Sequence, residues 1–173
     1  TWPRRRRSSP KATYVSSEVL APGTLEGMHV VVTGTSAGIG RAIAARVVAL
    51  GGHVDGRDIA AATLTDAHFH PVPVDLADGA ALDRAARSLT SADALVHAAG
   101  VLRVARLGSL DPAASDIMWR VHVDAATRLA DALIPPMATH GSSNSDCHQV
   151  RISGAARCST ALVVVSKNAP NAT

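Results

Sequence analysis

Three glycines, Gly34, Gly38 and Gly40, mark the stretch of this sequence whose residue types most clearly suggest chemistry. They follow the apolar run 30–32 and precede a helical pattern over 41–50, so they lie in a turn between a buried strand and a helix. Glycine lets the backbone turn tightly and approach a pyrophosphate closely, and the free N–H groups of a helix N-terminus attract anions. The sequence therefore predicts a phosphate cradle, with a tight turn that binds no ligand as the alternative.

The segment 33–40 resembles the T-G-x-x-x-G-x-G cofactor motif of the short-chain dehydrogenases/reductases. This glycine spacing differs from the G-x-G-x-x-G of other dinucleotide-binding folds. The resemblance covers residues 25–138 well and residues 149–169 poorly. By position in the motif, it implies cofactor contacts from Gly34, Ser36, Ala37, Gly38, Ile39 and Gly40.

Asp58 follows Gly34 by 24 positions, at the end of a short strand predicted over 53–58. In dinucleotide-binding folds, an acid at about this distance binds the ribose hydroxyls of the adenosine half. Its charge would repel the additional phosphate of NADP and therefore favours NAD. The neighbouring Arg57 leaves NADP open, because a guanidinium there could accept that phosphate.

The ends of the third and fourth predicted strands supply further cofactor contacts by resemblance. Asp75, with Leu76 beside it, takes the place of the family's acid near the adenine ring. The segment 94–100 predicts a buried strand that ends like the family's N-N-A-G, with His97 and Ala98 in place of the two asparagines. Small residues there let a cofactor lie against the backbone, so the implied contacts include Ala98, Ala99 and Gly100.

The residues for proton transfer are incomplete. In the family, a tyrosine protonates the alkoxide, a nearby lysine lowers the tyrosine pKa and a serine orients the substrate. The single tyrosine, Tyr14, lies before the predicted domain. The segment 163–169 is similar to the family's Y-x-x-S-K-x-A with Val163 in the tyrosine position, which implies Lys167 as the lysine and Ser153 as the serine. Without the tyrosine, Lys167 could still bind the cofactor through the nicotinamide ribose, and Ser153 could still contact a ligand oxygen. For both of these residues, an ordinary surface or strand-end position is the alternative.

A long helix is predicted over residues 112–138, with Asp111 as its N-cap. Its apolar positions recur every three or four residues and are Met118, Val121, Ala125, Leu129, Ala132 and Leu133. In the family this helix forms much of a dimer or tetramer interface, which implies a homo-oligomer. By spacing, His122 takes the place of the family's asparagine that holds a proton-relay water, with a structural role as the alternative.

Other histidines and cysteines favour no additional chemistry. His68 and His70 alternate along a predicted strand without a Cys or acid at ligand spacing, so we expect surface positions and no metal site. Cys147 and His148 lack an orienting third group, which disfavours a nucleophilic pair.

The composition indicates a globular chain with a basic N-terminal arm. Hydrophobic residues make up 47% and aromatic residues 2%, so the core consists mainly of Ala, Val, Leu and Ile. Five of the 17 basic residues precede the first acid, Glu18, which leaves 12 basic against 14 acidic residues and disfavours nucleic-acid binding. We expect residues 1–24 to be a disordered arm. No apolar run reaches the ~20 residues that span a bilayer, and the two cysteines are expected as reduced thiols in the cytoplasm.

These elements predict one domain over 25–173, in which residues 139–173 are atypical of the family. We expect a doubly wound parallel α/β sheet of about five strands in the order 3-2-1-4-5, between two layers of helices. The cofactor should lie at the carboxyl ends of the strands, where the winding reverses. The connection 60–67 is too short for a crossover helix. Because two further family strands have no counterpart before Thr173, we expect the sheet to be incomplete at that edge.

The resemblance implies an NAD(P)-dependent oxidoreductase that acts on an alcohol or ketone. Activity is expected to be weak or absent, because a valine at position 163 has no proton to donate. Two alternatives stay open, namely a non-catalytic dinucleotide-binding or dimerisation module and a truncated fragment.

Overall fold

The computed structural model describes residues 20–89, 92–139, 149–153 and 162–166, with side chains up to residue 133. Most of the predicted N-terminal arm, residues 1–19, lies outside this range, so its disorder stays a prediction. In the described part of the chain, no helix is both long and apolar enough to cross a membrane.

Four parallel strands form the centre of the molecule. They are β1 (His29–Thr33), β2 (His53–Asp58), β3 (Phe69–Pro73) and β4 (Ala94–His97). Their order in the sheet is β3-β2-β1-β4, which confirms the predicted doubly wound arrangement. The winding reverses between β1 and β4, and this point is where open α/β sheets bind ligands.

Helices connect and cover these strands. They are α1 (Gly38–Ala49), α2 (Gly79–Arg87), α3 (Pro112–Trp119) and α4 (Ala125–Thr139), with a π-helical turn (Arg120–Asp124) between α3 and α4. Asp111 caps α3 as predicted, because its carboxylate accepts the Ala113 N–H at 3.0 Å. The β2–β3 connection contains no helix over 60–67, which confirms the abbreviated crossover.

The core lies on both faces of the sheet. Val31 packs with Leu95, Leu129 and Leu133 on the face covered by α2 and α4. On the opposite face, covered by α1, the buried residues are Val30, Val32, Ala44, Val47, Val54, Phe69, Ala94, Val96 and Ala98. Alternate β1 side chains therefore point to opposite faces, and both faces are buried, as an apolar run in a parallel sheet predicts.

The sheet has six strands, and its far edge differs from the prediction. β5 (Gln149–Ser153) does not lie beside β4, because β6 (Leu162–Ser166) occupies that place. β6 runs antiparallel to both neighbours. The connection 154–161 is shorter than a parallel crossover of a dozen or more residues, so β5 and β6 pair as antiparallel neighbours. The consecutive valines of β6 suit a central strand, whereas the alternating polar residues of β5 suit an edge.

Candidate functional site

A cavity of ≈ 620 Å³ opens at the carboxyl ends of the parallel strands. Its walls come from the glycine turn, the ends of β2 and β4, the segment after β3, and α3 with the π-helical turn. It is lined by Gly34, Ser36, Ala37, Gly38, Ile39, Asp58, Ile59, Val74, Asp75, Leu76, Ala77, Ala98, Ala99, Gly100, Val101, Arg103, Ile117 and Val121. Among the described residues, every cofactor contact expected from the sequence lines this cavity except Gly40.

The three glycines of the turn have different physical requirements. Gly34 has φ +75°, and a Cβ on it would lie 2.8 Å from the Ala99 Cα. A Cβ on Gly40 would collide with the Gly34 carbonyl oxygen, so Gly40 allows α1 to start directly behind the turn. Gly38 has φ +57°, but a Cβ there would meet nothing within 4 Å. Its backbone therefore faces open space, where a ligand can approach.

The N-terminus of α1 is free of side-chain caps. Ala37 occupies the N-cap position in an extended conformation without a capping hydrogen bond, and the first turn contains no acidic residue. The first N–H groups of a helix carry partial positive charge and have no partners within the helix. An uncapped helix start beside Gly38 fits an anionic diphosphate, because a phosphate oxygen can accept these N–H groups.

Asp58 connects the glycine turn to the end of β2. Its carboxylate accepts the Ser36 N–H at 2.8 Å and the Ala60 N–H at 3.0 Å. The side chain is partly buried and lines the cavity. A negative charge is therefore present at the position where the sequence predicted an acid for the adenosine ribose.

Arg57 is turned away from the cavity. Its side chain is 1% exposed, and its guanidinium donates to the Ala85 carbonyl at 2.8 Å and to the Ser88 hydroxyl at 3.3 Å. Burial lowers the pKa of Arg57, and the Asp55 carboxylate at 3.9 Å opposes this effect. The Arg57 guanidinium therefore does not line the cavity, because β2 directs the side chain under α2.

A charged cluster lies near the amino ends of the parallel strands, opposite the cavity. Asp55 Oδ1 lies 3.4 Å from His29 Nε2 and 3.3 Å from His70 Nδ1. The hydrogen bond with His29 is the main reason for the lowered pKa of Asp55, followed by burial, which opposes it. In the described residues, no group of three or more His, Cys, Asp or Glu side chains is arranged to hold a metal ion.

His97 and His122 both bind backbone near the cavity. His97 is fully buried, with Nδ1 3.0 Å from the Thr33 hydroxyl and Nε2 3.0 Å from the Val121 carbonyl oxygen. His122 Nε2 lies 2.9 Å from the carbonyl oxygen and 3.2 Å from the amide nitrogen of Val101, and its tautomer decides which of these bonds forms. His122 does not line the cavity, so its predicted water-holding role stays a prediction.

Comparison with known proteins identifies the family. The model of the short chain dehydrogenases matches residues 28–152, which is more than two thirds of the chain. The chain belongs to the short-chain dehydrogenase family. A short chain dehydrogenase of Pseudocercospora fijiensis (strain CIRAD86) is 34% identical over 152 residues, covering 75% of this chain and 48% of that protein.

Solved structures agree with this assignment. A short-chain dehydrogenase from Streptomyces avermitilis has a TM-score of 0.62 and 30% identity, covering 66% of this chain and 46% of its own. The L-sorbose reductase from Gluconobacter frateurii, complexed with NADPH and L-sorbose, has a TM-score of 0.59 and 28% identity, covering 68% and 50%. This short-chain dehydrogenase therefore spans about half the length of the relatives that it matches.

The catalytic positions expected for a short-chain dehydrogenase are only partly within the described residues. Ser153 ends β5 at the cavity side of the sheet, and β6 separates it from β4. Ser153 is thus two strand spacings, about 10 Å, from β4 instead of one. Val163 lies in β6, because consecutive β-branched residues favour strands. Lys167 is outside the described residues. The preceding Ser166 pairs with Ala94, the first residue of β4, at the end of the strands opposite the glycine turn.

The structure adds cavity residues that the sequence did not single out. Ile59 follows Asp58 directly, and Arg103 follows Gly100 by three positions. Ile117 reaches the cavity from α3. Continuing each predicted strand end by a few residues would have found the first two. The predicted apolar pattern began at Met118, although Ile117 precedes Val121 by four positions and so fits the same helical period.

Proposed function

We propose that this chain binds a nicotinamide dinucleotide at the carboxyl ends of its parallel strands, with the diphosphate over the glycine turn. The observation that carries the proposal is the open space at Gly38 beside the uncapped start of α1. Backbone N–H groups there would hold the phosphate oxygens, since the turn and the helix dipole both favour an anion. Nothing larger than glycine fits a positive φ here without strain.

The adenosine half would lie towards β2 and β3. Asp58 would accept ribose hydroxyls, and Asp75 with Leu76 would border the adenine, because these residues line the same cavity as the glycine turn. We propose NAD over NADP. The Asp58 carboxylate would repel a ribose phosphate, and the buried Arg57 side chain offers no compensating charge in the cavity.

The nicotinamide half would lie against Ala98, Ala99 and Gly100, where small residues leave the β4 backbone accessible. The bound dinucleotide would supply hydride chemistry, and the substrate class proposed from the family is an alcohol or ketone. Turnover should be weak or absent, since the segment similar to the family's catalytic motif has Val163 in the tyrosine position. Ser153, Lys167 and His122 stay predicted catalytic residues, and a non-catalytic dinucleotide-binding module is the second candidate function.

A homo-oligomer through the helical segment 112–138 is also proposed. Ala125, Leu129 and Leu133 are buried in the chain's own core, so they are not available to a partner. Trp119, 65% exposed, and Val123, 40% exposed, remain on the outside of α3 and the π-helical turn. Trp119→Glu should therefore shift the sedimentation coefficient towards that of a single chain, and an unchanged value would exclude this face. Cytoplasmic location stays a prediction.

The direct test of the proposed function is titration of the purified chain with NADH, followed by nicotinamide fluorescence. We expect saturable NADH binding, and we expect NAD to displace NADH more effectively than NADP does. Absence of saturable binding would refute both the catalytic and the non-catalytic form of the proposal. A panel of alcohols and ketones, followed at 340 nm as is usual for NADH, then separates the two forms.

A further inference from the structure

His97 sits at the meeting point of three structural elements. It is the last residue of β4. It contacts Thr33, the last residue of β1, and Val121 of the π-helical turn. The side chain is fully buried. The Thr33 hydroxyl oxygen also accepts the backbone N–H groups of Ala98 at 3.1 Å and Ala99 at 3.0 Å.

These contacts determine where the imidazole protons lie. A hydroxyl oxygen has one proton to donate and two lone pairs that accept, and here the two N–H groups occupy the lone pairs. The Thr33 hydroxyl proton therefore points to Nδ1 of His97, which must be unprotonated. Nε2 then carries the single imidazole proton and donates it to the Val121 carbonyl oxygen. An imidazolium would place a second N–H against the Thr33 hydroxyl, which has no acceptor left.

The carbonyl that His97 holds belongs to an irregular part of the helix. In the π-helical turn, the Ala125 N–H bonds to Arg120 O, five residues back. Such turns are less favourable than the regular α-helical pattern and are found at functional sites. On the other side of the same turn, His122 binds the backbone of Val101. Val101 and Val121 both line the cavity.

We propose that His97 is a positioning residue of the cofactor cavity. Its neutral imidazole fixes the distance between two walls of the cavity. One wall is formed by the glycine turn and the end of β4, and the other is the π-helical turn. Its effect on dinucleotide affinity rests on the proposed function, whereas its effect on the π-helical turn does not. The environment agrees with a neutral side chain at pH 7. Burial lowers the pKa of His97 to about 4, the bond to Val121 opposes this, and His122, the titratable group facing it, adds to the lowering.

Two substitutions separate the two hydrogen bonds. His97→Asn retains an acceptor near the Nδ1 position and loses the donor to Val121. His97→Gln places an amide N–H near the Nε2 position and retains that donor. We expect amide exchange at Ala125 to quicken about tenfold in His97→Asn, the size expected for one lost hydrogen bond, and to return towards the wild-type rate in His97→Gln. NADH affinity should follow the same order.

Long-range ¹H–¹⁵N NMR of the wild-type chain reads the tautomer directly. We expect a protonated Nε2 and an unprotonated Nδ1 at pH 7. A protonated Nδ1, or exchange at Ala125 that is equal in the wild type and in both folded variants, would overturn the proposal. If NADH fails to bind the wild type while exchange and tautomer behave as expected, the proposed function fails and the positioning of the π-helical turn stands.

Discussion

Gly34 and Ala99 are in such close contact that a Cβ on Gly34 would lie 2.8 Å from the Ala99 Cα. This contact joins the turn after β1 to the end of β4, the two strands between which the winding of the sheet reverses. Gly38, four residues on, faces open space. One glycine is therefore required by the fold and the other leaves room for a ligand.

The two positions should respond differently to alanine. Gly34→Ala combines a positive φ with a backbone collision and should lower the free energy of unfolding by about 3 kcal/mol or more. Gly38→Ala has only the unfavourable φ, which costs about 1 kcal/mol. Urea denaturation followed by circular dichroism measures both values. Equal losses of stability would contradict the separation of roles.

Asp58→Asn should change cofactor preference. The amide keeps one acceptor for the backbone N–H groups of Ser36 and Ala60 but removes the charge that faces the cavity. We expect the ratio of NADPH to NADH dissociation constants to fall about tenfold, because the repulsion of the ribose phosphate is lost. Asp83→Asn, which removes an exposed partner of Arg128, is the control and should leave the ratio unchanged.

The free energy of unfolding should depend on pH through His97. Its pKa is lowered from 6.5 to about 4 in the folded chain, so the unfolded chain binds more protons between these values. Stability from this group is therefore complete above pH 6.5 and falls as the pH drops to about 4, by about 3 kcal/mol. The difference between the wild type and His97→Gln, measured by urea denaturation from pH 4 to 7.5, should show this slope. A difference independent of pH would exclude a buried neutral imidazole.

Asp55→Asn should destabilise the chain above pH 4. Asp55 is the carboxylate nearest the buried Arg57 guanidinium among the described ion pairs, and removing its charge leaves that cation without compensation. Because the pKa of Asp55 is lowered below 3.8, its contribution is complete above that value and disappears as the pH falls further. The stability gap between wild type and variant should therefore close below pH 3.8. A gap of constant size would assign the loss to packing.

The parallel part of the fold was predictable because each signal was local. Three consecutive valines, a glycine turn and a helical period specify β1, the turn and α1, and the acids of the cavity follow directly from strand ends. The place of β6 was not predictable, since pairing with β4 depends on long-range competition between strands. The burial of Arg57 was missed for a different reason, because the strand alternation that specifies it was not applied to β2. Its neighbour Asp58 lines the cavity, but alternation along β2 sends Arg57 to the opposite face.

The bonds of His97 also lay beyond the sequence. The resemblance placed it in the position of a family asparagine, yet its partners come from β1 and from a π-helical turn that no periodicity indicated. The Val121 carbonyl that contacts the imidazole lies within this irregular turn. Only the three-dimensional arrangement shows which carbonyl is held.

The most direct test of the central claim is NADH titration of Gly38→Val beside Gly27→Val. Both glycines have positive φ and open space around them, but Gly27 lies before β1, outside the cavity lining. The valine side chain at position 38 would fill the diphosphate position, so we expect saturable binding to be abolished there and retained in folded Gly27→Val. Undiminished NADH binding by Gly38→Val would contradict the account.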